Sequence, residues 1–138
     1  MRGYAARWAS ELRRAQFTHD LERCRAAVPD DLVFHDHRRI GAGRLETSDA
    51  YVAWLGTLFE QSPDAIIEPI YEVARDEDGI VVVGHTIGTL PEGGSLESVY
   101  VQLLHFGRDR LVGVELFELE DLDVARARFE ELRSEAVA

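Results

Sequence analysis

The chain has 138 residues, enough for one domain with a real core. Its 26 acidic against 15 basic side chains leave a formal charge of −11, which speaks against duplex DNA, RNA and anionic membrane surfaces as partners. All 15 bases are Arg, and the sequence contains neither Lys nor Asn. That excludes Schiff-base lysines, a P-loop, N-glycosylation and an Asn catalytic partner, and it fits a GC-rich genome that writes Arg for Lys. A single cysteine, Cys24, excludes an intramolecular disulfide and a Cys-based zinc cluster. No apolar run approaches the roughly 18 residues of a membrane span, and the N-terminus has no signal-type apolar region, so a cytoplasmic protein without membrane contact is expected.

In chain order, Tyr4, Trp8 and Leu12 at i, i+4, i+8 predict a helix from Tyr4 to about Arg14. A second helix is expected from an N-cap at Thr18 to a stop before Pro29. Leu21, Cys24 and Val28 form its apolar stripe, so Cys24 reads as a core residue. Leu32 to His37 reads as a strand, broken by Gly41 and Gly43. Thr47 or Ser48 caps a third helix, whose stripe is Tyr51, Trp54, Leu55, Leu58 and Phe59. From there the period is two. Strands are predicted over Ile66–Arg75, Ile80–Leu90, Leu96–Phe106 and Leu111 to about Leu119, joined by short polar turns that imply antiparallel hairpins. Gly84 and Gly88 inside one strand suggest a bend or bulge and a curved sheet. A helix from about Asp121 to Arg133 closes the chain. No linker or repeat interrupts it, so 1–138 reads as a single α+β domain.

This order, together with the stretches Asp36-His37-Arg38-Arg39 and Glu115-Leu116-Phe117-Glu118-Leu119-Glu120-Asp121-Leu122, resembles SnoaL-like domains of the NTF2-like superfamily, of actinobacterial type, from about Trp8 to Leu132. The resemblance implies an NTF2-like cone: a curved antiparallel sheet wrapped around N-terminal helices, with a C-terminal helix, a pocket at the wide end and a homodimer through the outer sheet face. It implies a small-molecule pocket protein, which could be a cofactor-independent acid–base enzyme of isomerase, cyclase or hydrolase class on a hydrophobic substrate. The alternative is a non-catalytic ligand-sensing or dimerisation module, derived from a larger regulatory protein.

Asp36 shares a strand face with Leu32, Phe34 and Arg38. An inward carboxylate among apolar neighbours would have a raised pKa and suit a general base, and ketosteroid isomerase-like relatives carry their proton-shuttling Asp at a position that looks like Asp36. The competing reading is an ion pair with Arg38 or Arg39. Two further parts of that family's site look replaced, one by Leu104 and one by Leu12, with Trp8 one turn away. His85, with Val81, Val83 and Ile87 on its face, is the expected partner acid. In the limonene epoxide hydrolase branch an Arg stands at that position, and Glu115 resembles the last carboxylate there. Glu115 shares a face with Phe117, and Glu118 with Leu116; alternation alone leaves open which points inward. Tyr100 and Gln102, on one face with Leu104, could orient a carbonyl or hydroxyl. The catalytic candidates are therefore Asp36, His85, Tyr100 and Glu115. The candidate binding walls are Trp8, Phe34, Trp54, Tyr71, Gln102, Leu104 and Phe117. His35 and His37 at i, i+2 offer two metal ligands and need a third, from His85 or a carboxylate, if the faces agree. Solvated or interface histidines are the simpler reading, and no metal or cofactor is expected.

Overall fold

A computed structural model describes residues 3–137 except 108 and 109, and side chains between residues 10 and 134 apart from those two. The elements are α1 (Gly3–Phe17), α2 (Leu21–Ala26), β1 (Val33–Asp36), β2 (Gly43–Leu45), α3 (Ser48–Gln61), β3 (Ile66–Arg75), β4 (Gly79–Thr89), β5 (Ser95–Gly107), β6 (Arg110–Glu118), a 3₁₀ turn (Leu119–Asp121) and α4 (Leu122–Val137). The predicted helix and long-strand positions are recovered with small shifts at their ends. The N-caps follow the chemistry of short polar side chains. Thr47 accepts from the Ala50 amide at the start of α3. Asp20, rather than Thr18, caps α2 by accepting from the Arg23 amide. His19 takes a positive φ of 56° at the α1–α2 turn, and its Nε2 donates to the Ala65 carbonyl at 2.6 Å while its ring stacks on Phe59. One side chain thus ties the first helices to the α3–β3 loop.

The strands form one six-stranded sheet in the order β2-β1-β6-β5-β4-β3. β3 to β6 are successive antiparallel hairpins, as the short polar turns require. β1 lies parallel to β6, the geometry a long crossover permits, and the short β2, absent from the sequence reading, pairs with β1 at the edge. Alternation along the strands gives the sheet two faces. The concave face carries Phe34, Ile80, Tyr100, Val114 and Leu116, packed against Leu12 and Ala15 of α1, Cys24 of α2, and Tyr51, Leu55 and Phe59 of α3. The convex face carries Val81, Val83, Val101, Leu103 and Phe117, covered by Ala125, Phe129 and Leu132 of α4. The helices are therefore not all on one side: the C-terminal helix takes up part of the outer face.

Of the interior glycines of β4, Gly84 stands opposite a register shift in β3 and Gly88 does not. The register shifts lie in β3, after Pro69 and after Glu72, and in the β5–β6 pair, where Val112 of β6 is the extra residue. Both glycines also make room. A Cβ at Gly84 would touch the Tyr100 ring at 3.3 Å, and one at Gly88 would run into the buried Ser62 hydroxyl. That hydroxyl donates to Asp64 and accepts from the Thr89 amide, which fastens the end of α3 to the end of β4. Pro69 sits on the edge strand β3 beside a register shift, a setting in which a strand tolerates proline.

Candidate functional site

Inside the cone, between α3, the loop after β1 and the middle of the sheet, lies a cavity of about 370 Å³, within the usual size of small-molecule sites. Phe34, Trp54, Leu58, Ile67, Leu96 and Leu116 make apolar walls. Trp54 packs on Phe34 with ring centroids 4.8 Å apart. The polar groups are Arg38, Gln61, Thr86, Ser98, Tyr100, Gln102 and Gln16. A second space of about 290 Å³ abuts it across Gln16, Ile67, Tyr100 and Gln102, and opens between α1 and β3, where Leu104 and Tyr71 line it.

Arg38 organises the polar end. Its side chain is 15% exposed and forms a fork with the fully buried Asp36 carboxylate: Nε to Oδ1 and Nη2 to Oδ2, each 2.8 Å. Asp36 also accepts from the amides of Arg38 and Ala42. Burial alone would raise the Asp36 pKa, but the bonds from Arg38 and the Ala42 amide outweigh it and hold the carboxyl below its ordinary range. Of the two readings the sequence left open, the ion pair with Arg38 is the one formed, and the raised pKa of a free base is corrected. The carboxylate folds the loop after β1 around itself and keeps Arg38 inside, rather than standing free as a base. Arg38 Nη1 donates to the Ser98 hydroxyl at 3.1 Å, and its guanidinium lies 5.2 Å from the Tyr100 ring centroid. Of its five N–H groups, three have these partners and the other two have none among the described residues. The Tyr100 hydroxyl shares a 3.0 Å hydrogen bond with Thr86. Burial pushes the Tyr100 pKa up, with Thr86 and Arg38 opposing, so it remains a neutral phenol that can donate. Gln16 donates to the buried Tyr51 hydroxyl at 2.8 Å.

The remaining predicted residues divide between the two faces. Phe34, Trp54, Tyr100 and Gln102 meet at the main cavity, and Leu104 and Tyr71 at the adjoining one. The Trp8 side chain lies outside the described residues. His85 is a correction. The alternation of β4 places it on the convex side with Val81 and Val83, where its Nε2 donates to Glu68 at 2.7 Å. The sheet separates it from Asp36, so the two do not form a dyad. Glu115 and Phe117 are corrected in the same way. β6 pairs Glu115 with His35 and directs both to the convex face, where Phe117 is buried under α4. Glu118 is on the concave parity, yet its carboxylate holds the Arg39 amide at 3.0 Å, outside the described cavity lining.

Among the polar lining residues, Arg38 entered the sequence reading only as an ion-pair partner of Asp36, and Thr86, Ser98 and Gln16 did not enter it. Arg38 was readable, since it continues the face of Phe34 and Asp36. The other three become visible only when the helices and hairpins are assembled.

The SnoaL-like domain family matches residues 4–127. The chain belongs to this family. Among solved structures, this SnoaL-like domain is similar to an NTF2-like protein of unknown function from Burkholderia pseudomallei, at 19% identity over 88% of this chain and 95% of that one, with a TM-score of 0.71. It is also similar to TerC co-crystallised with polyporic acid, at 14% identity over 94% and 98% of the two chains, TM-score 0.71. A third neighbour, described as a SnoaL-like polyketide cyclase from Jannaschia, is 15% identical over 87% and 89%, TM-score 0.66. At such identities the likeness establishes the shared NTF2-like cone. No curated protein matches the sequence. Among the described residues, no helix is long and apolar enough to cross a membrane.

Proposed function

We propose that this SnoaL-like domain binds a small, mainly apolar molecule in the concave cavity, gripping one neutral acceptor oxygen, such as a ketone or phenol, with Arg38 and the Tyr100–Thr86 pair. The observation that carries this reading is the Asp36–Arg38 fork at the edge of an aromatic and aliphatic cavity. Asp36 cancels the charge of Arg38 but leaves two N–H donors, which favours a neutral oxygen over a carboxylate. The overall charge of −11 acts in the same direction. The described lining of the main cavity contains no carboxylate. Chemistry there would rest on polarising a carbonyl by donors rather than on proton removal by Asp36. Neighbours described as a polyketide cyclase and as a protein crystallised with polyporic acid support a small organic ligand. The stretches Asp36-His37-Arg38-Arg39 and Glu115 to Leu122 support an actinobacterial type, and the family resemblance supports a cytoplasmic homodimer.

The test is quenching of Trp54 fluorescence, read in a Trp8→Phe background, by acetylnaphthalene, with ethylnaphthalene and naphthoate for comparison. Acetylnaphthalene is expected to bind about fivefold tighter than ethylnaphthalene, the worth of about one net hydrogen bond. It should also outbind naphthoate, and Gln102→Trp, which fills the cavity, should abolish binding measured by calorimetry, since the variant adds a fluorophore. Equal binding of the ketone and the hydrocarbon would refute the oxygen anchor. Undiminished binding to a folded Gln102→Trp variant would refute the site.

A further inference from the structure

On the opposite face of the sheet, His35, His37 and Glu115 bring one ligand atom each within 4.8 Å of one another. We propose that these three side chains form a binding site for a first-row divalent metal ion of the zinc class, with the fourth position open to water or an oxygen or nitrogen ligand. Three features build the site. The parallel pairing of β1 with β6 sets His35 opposite Glu115, and the His37 amide continues the ladder by donating to the Leu116 carbonyl, which keeps both imidazoles on the same face. The rings are already gathered, with centroids 3.8 Å apart, and His37 is further stacked on Phe117 at 4.6 Å. Glu115 is fixed from behind: Arg128 of α4 donates to its Oε2 at 3.0 Å, leaving Oε1 against His37 Nε2 at 2.8 Å. Such support for a carboxylate ligand is typical of protein metal sites.

Two imidazoles and one carboxylate are a ligand set of open zinc sites. Bonds of about 2.1 Å place tetrahedral ligand atoms ~3.4 Å apart, so side-chain rotations of roughly an ångström close the set. The ion would take the place of the proton that His37 donates to Glu115. The nearby cations do not oppose it strongly. Arg128 is also paired with Glu131, and Arg44, next to His35 across the β1–β2 ladder, is paired with Glu46 at 2.9 Å. The other histidine–carboxylate contact on this face, His85 with Glu68, lacks a third ligand in the described structure.

Co²⁺ is added to protein dialysed against a chelator, and visible absorption is followed, with Zn²⁺ as competitor. One equivalent is expected to bind with the intense bands of a four-coordinate site and to be displaced by Zn²⁺. His37→Gln, at a partly exposed position, and Glu115→Gln should each weaken binding by at least ~100-fold, more than loss of a supporting residue costs. His85→Gln should leave binding unchanged, and circular dichroism verifies folding of each variant. The proposal is overturned if the wild type binds more weakly than about 1 mM, if His37→Gln binds like the wild type, or if His85→Gln removes the bands.

Discussion

Asp36→Asn separates a structural carboxylate from a free base. In the native protein the carboxylate accepts four hydrogen bonds, two from the Arg38 guanidinium and one each from the amides of Arg38 and Ala42, and its side chain has no exposed surface. Asparagine has nearly the same size but only one acceptor oxygen. Its amide nitrogen would point donor against donor at Arg38 or at the Ala42 amide, and the guanidinium would be left buried without its counter-charge. Removing one partner of a buried pair costs about 3–5 kcal/mol. Arg38 keeps Ser98, the Tyr100 ring and some solvent, so the expected loss is at the lower end, about 3 kcal/mol. For a domain of this length that is roughly a 10 °C fall in Tm. Urea unfolding followed by circular dichroism, with a thermal melt as a second readout, gives both numbers. A variant within about 0.5 kcal/mol of the wild type would refute the reasoning, because a carboxylate that carries no structural burden is what a free general base would be.

The same pair sets an acid limb. The folded pKa of Asp36 lies below its unfolded value, so its stabilisation is complete above the ordinary carboxylate value of about 3.9 and is lost as pH falls from there through the folded pKa. Wild type should therefore lose more stability than Asp36→Asn as pH falls below about 4, and parallel urea-midpoint curves would contradict this. Gly88→Ala should destabilise by about 1–3 kcal/mol through overlap with the buried Ser62 hydroxyl, measured by urea unfolding, whereas Gly94→Ala at an open turn should change little. Burial, helped by Asp20, pushes the Cys24 thiol up to about 11. Native protein at pH 8 should resist iodoacetamide, with labelling appearing only as it unfolds.

The fold was legible because its signals are local and mutually consistent. The helix stripes, the cap at Thr47 and the period-two runs from Ile66 onward each specify their own element. The pairing of β1 with β6 was not legible, since a four-residue strand carries no mark of a partner about 80 positions away. That one pairing decides much of the site. It places Asp36 and Phe34 inside while placing His35 and Glu115 outside. Alternation along β4 did show that His85 shares a face with Val81 and Val83. What it could not show is that these valines pack under α4 rather than inside the cone, because both faces of the central strands are apolar. Asp36 was correctly read as inward, but the sign of its pKa shift depends on Arg38 folding back over it, a loop conformation that spacing does not encode.

The most direct test of the concave site is an amide shift map of the isotope-labelled protein titrated with acetylnaphthalene. The largest changes should fall on Phe34, Thr86, Leu96, Ser98, Tyr100 and Gln102, which surround the main cavity. Changes confined to convex-face residues such as Val83, Leu103 and Phe117, or no saturable changes at all, would contradict the assignment of the cone interior as the ligand site.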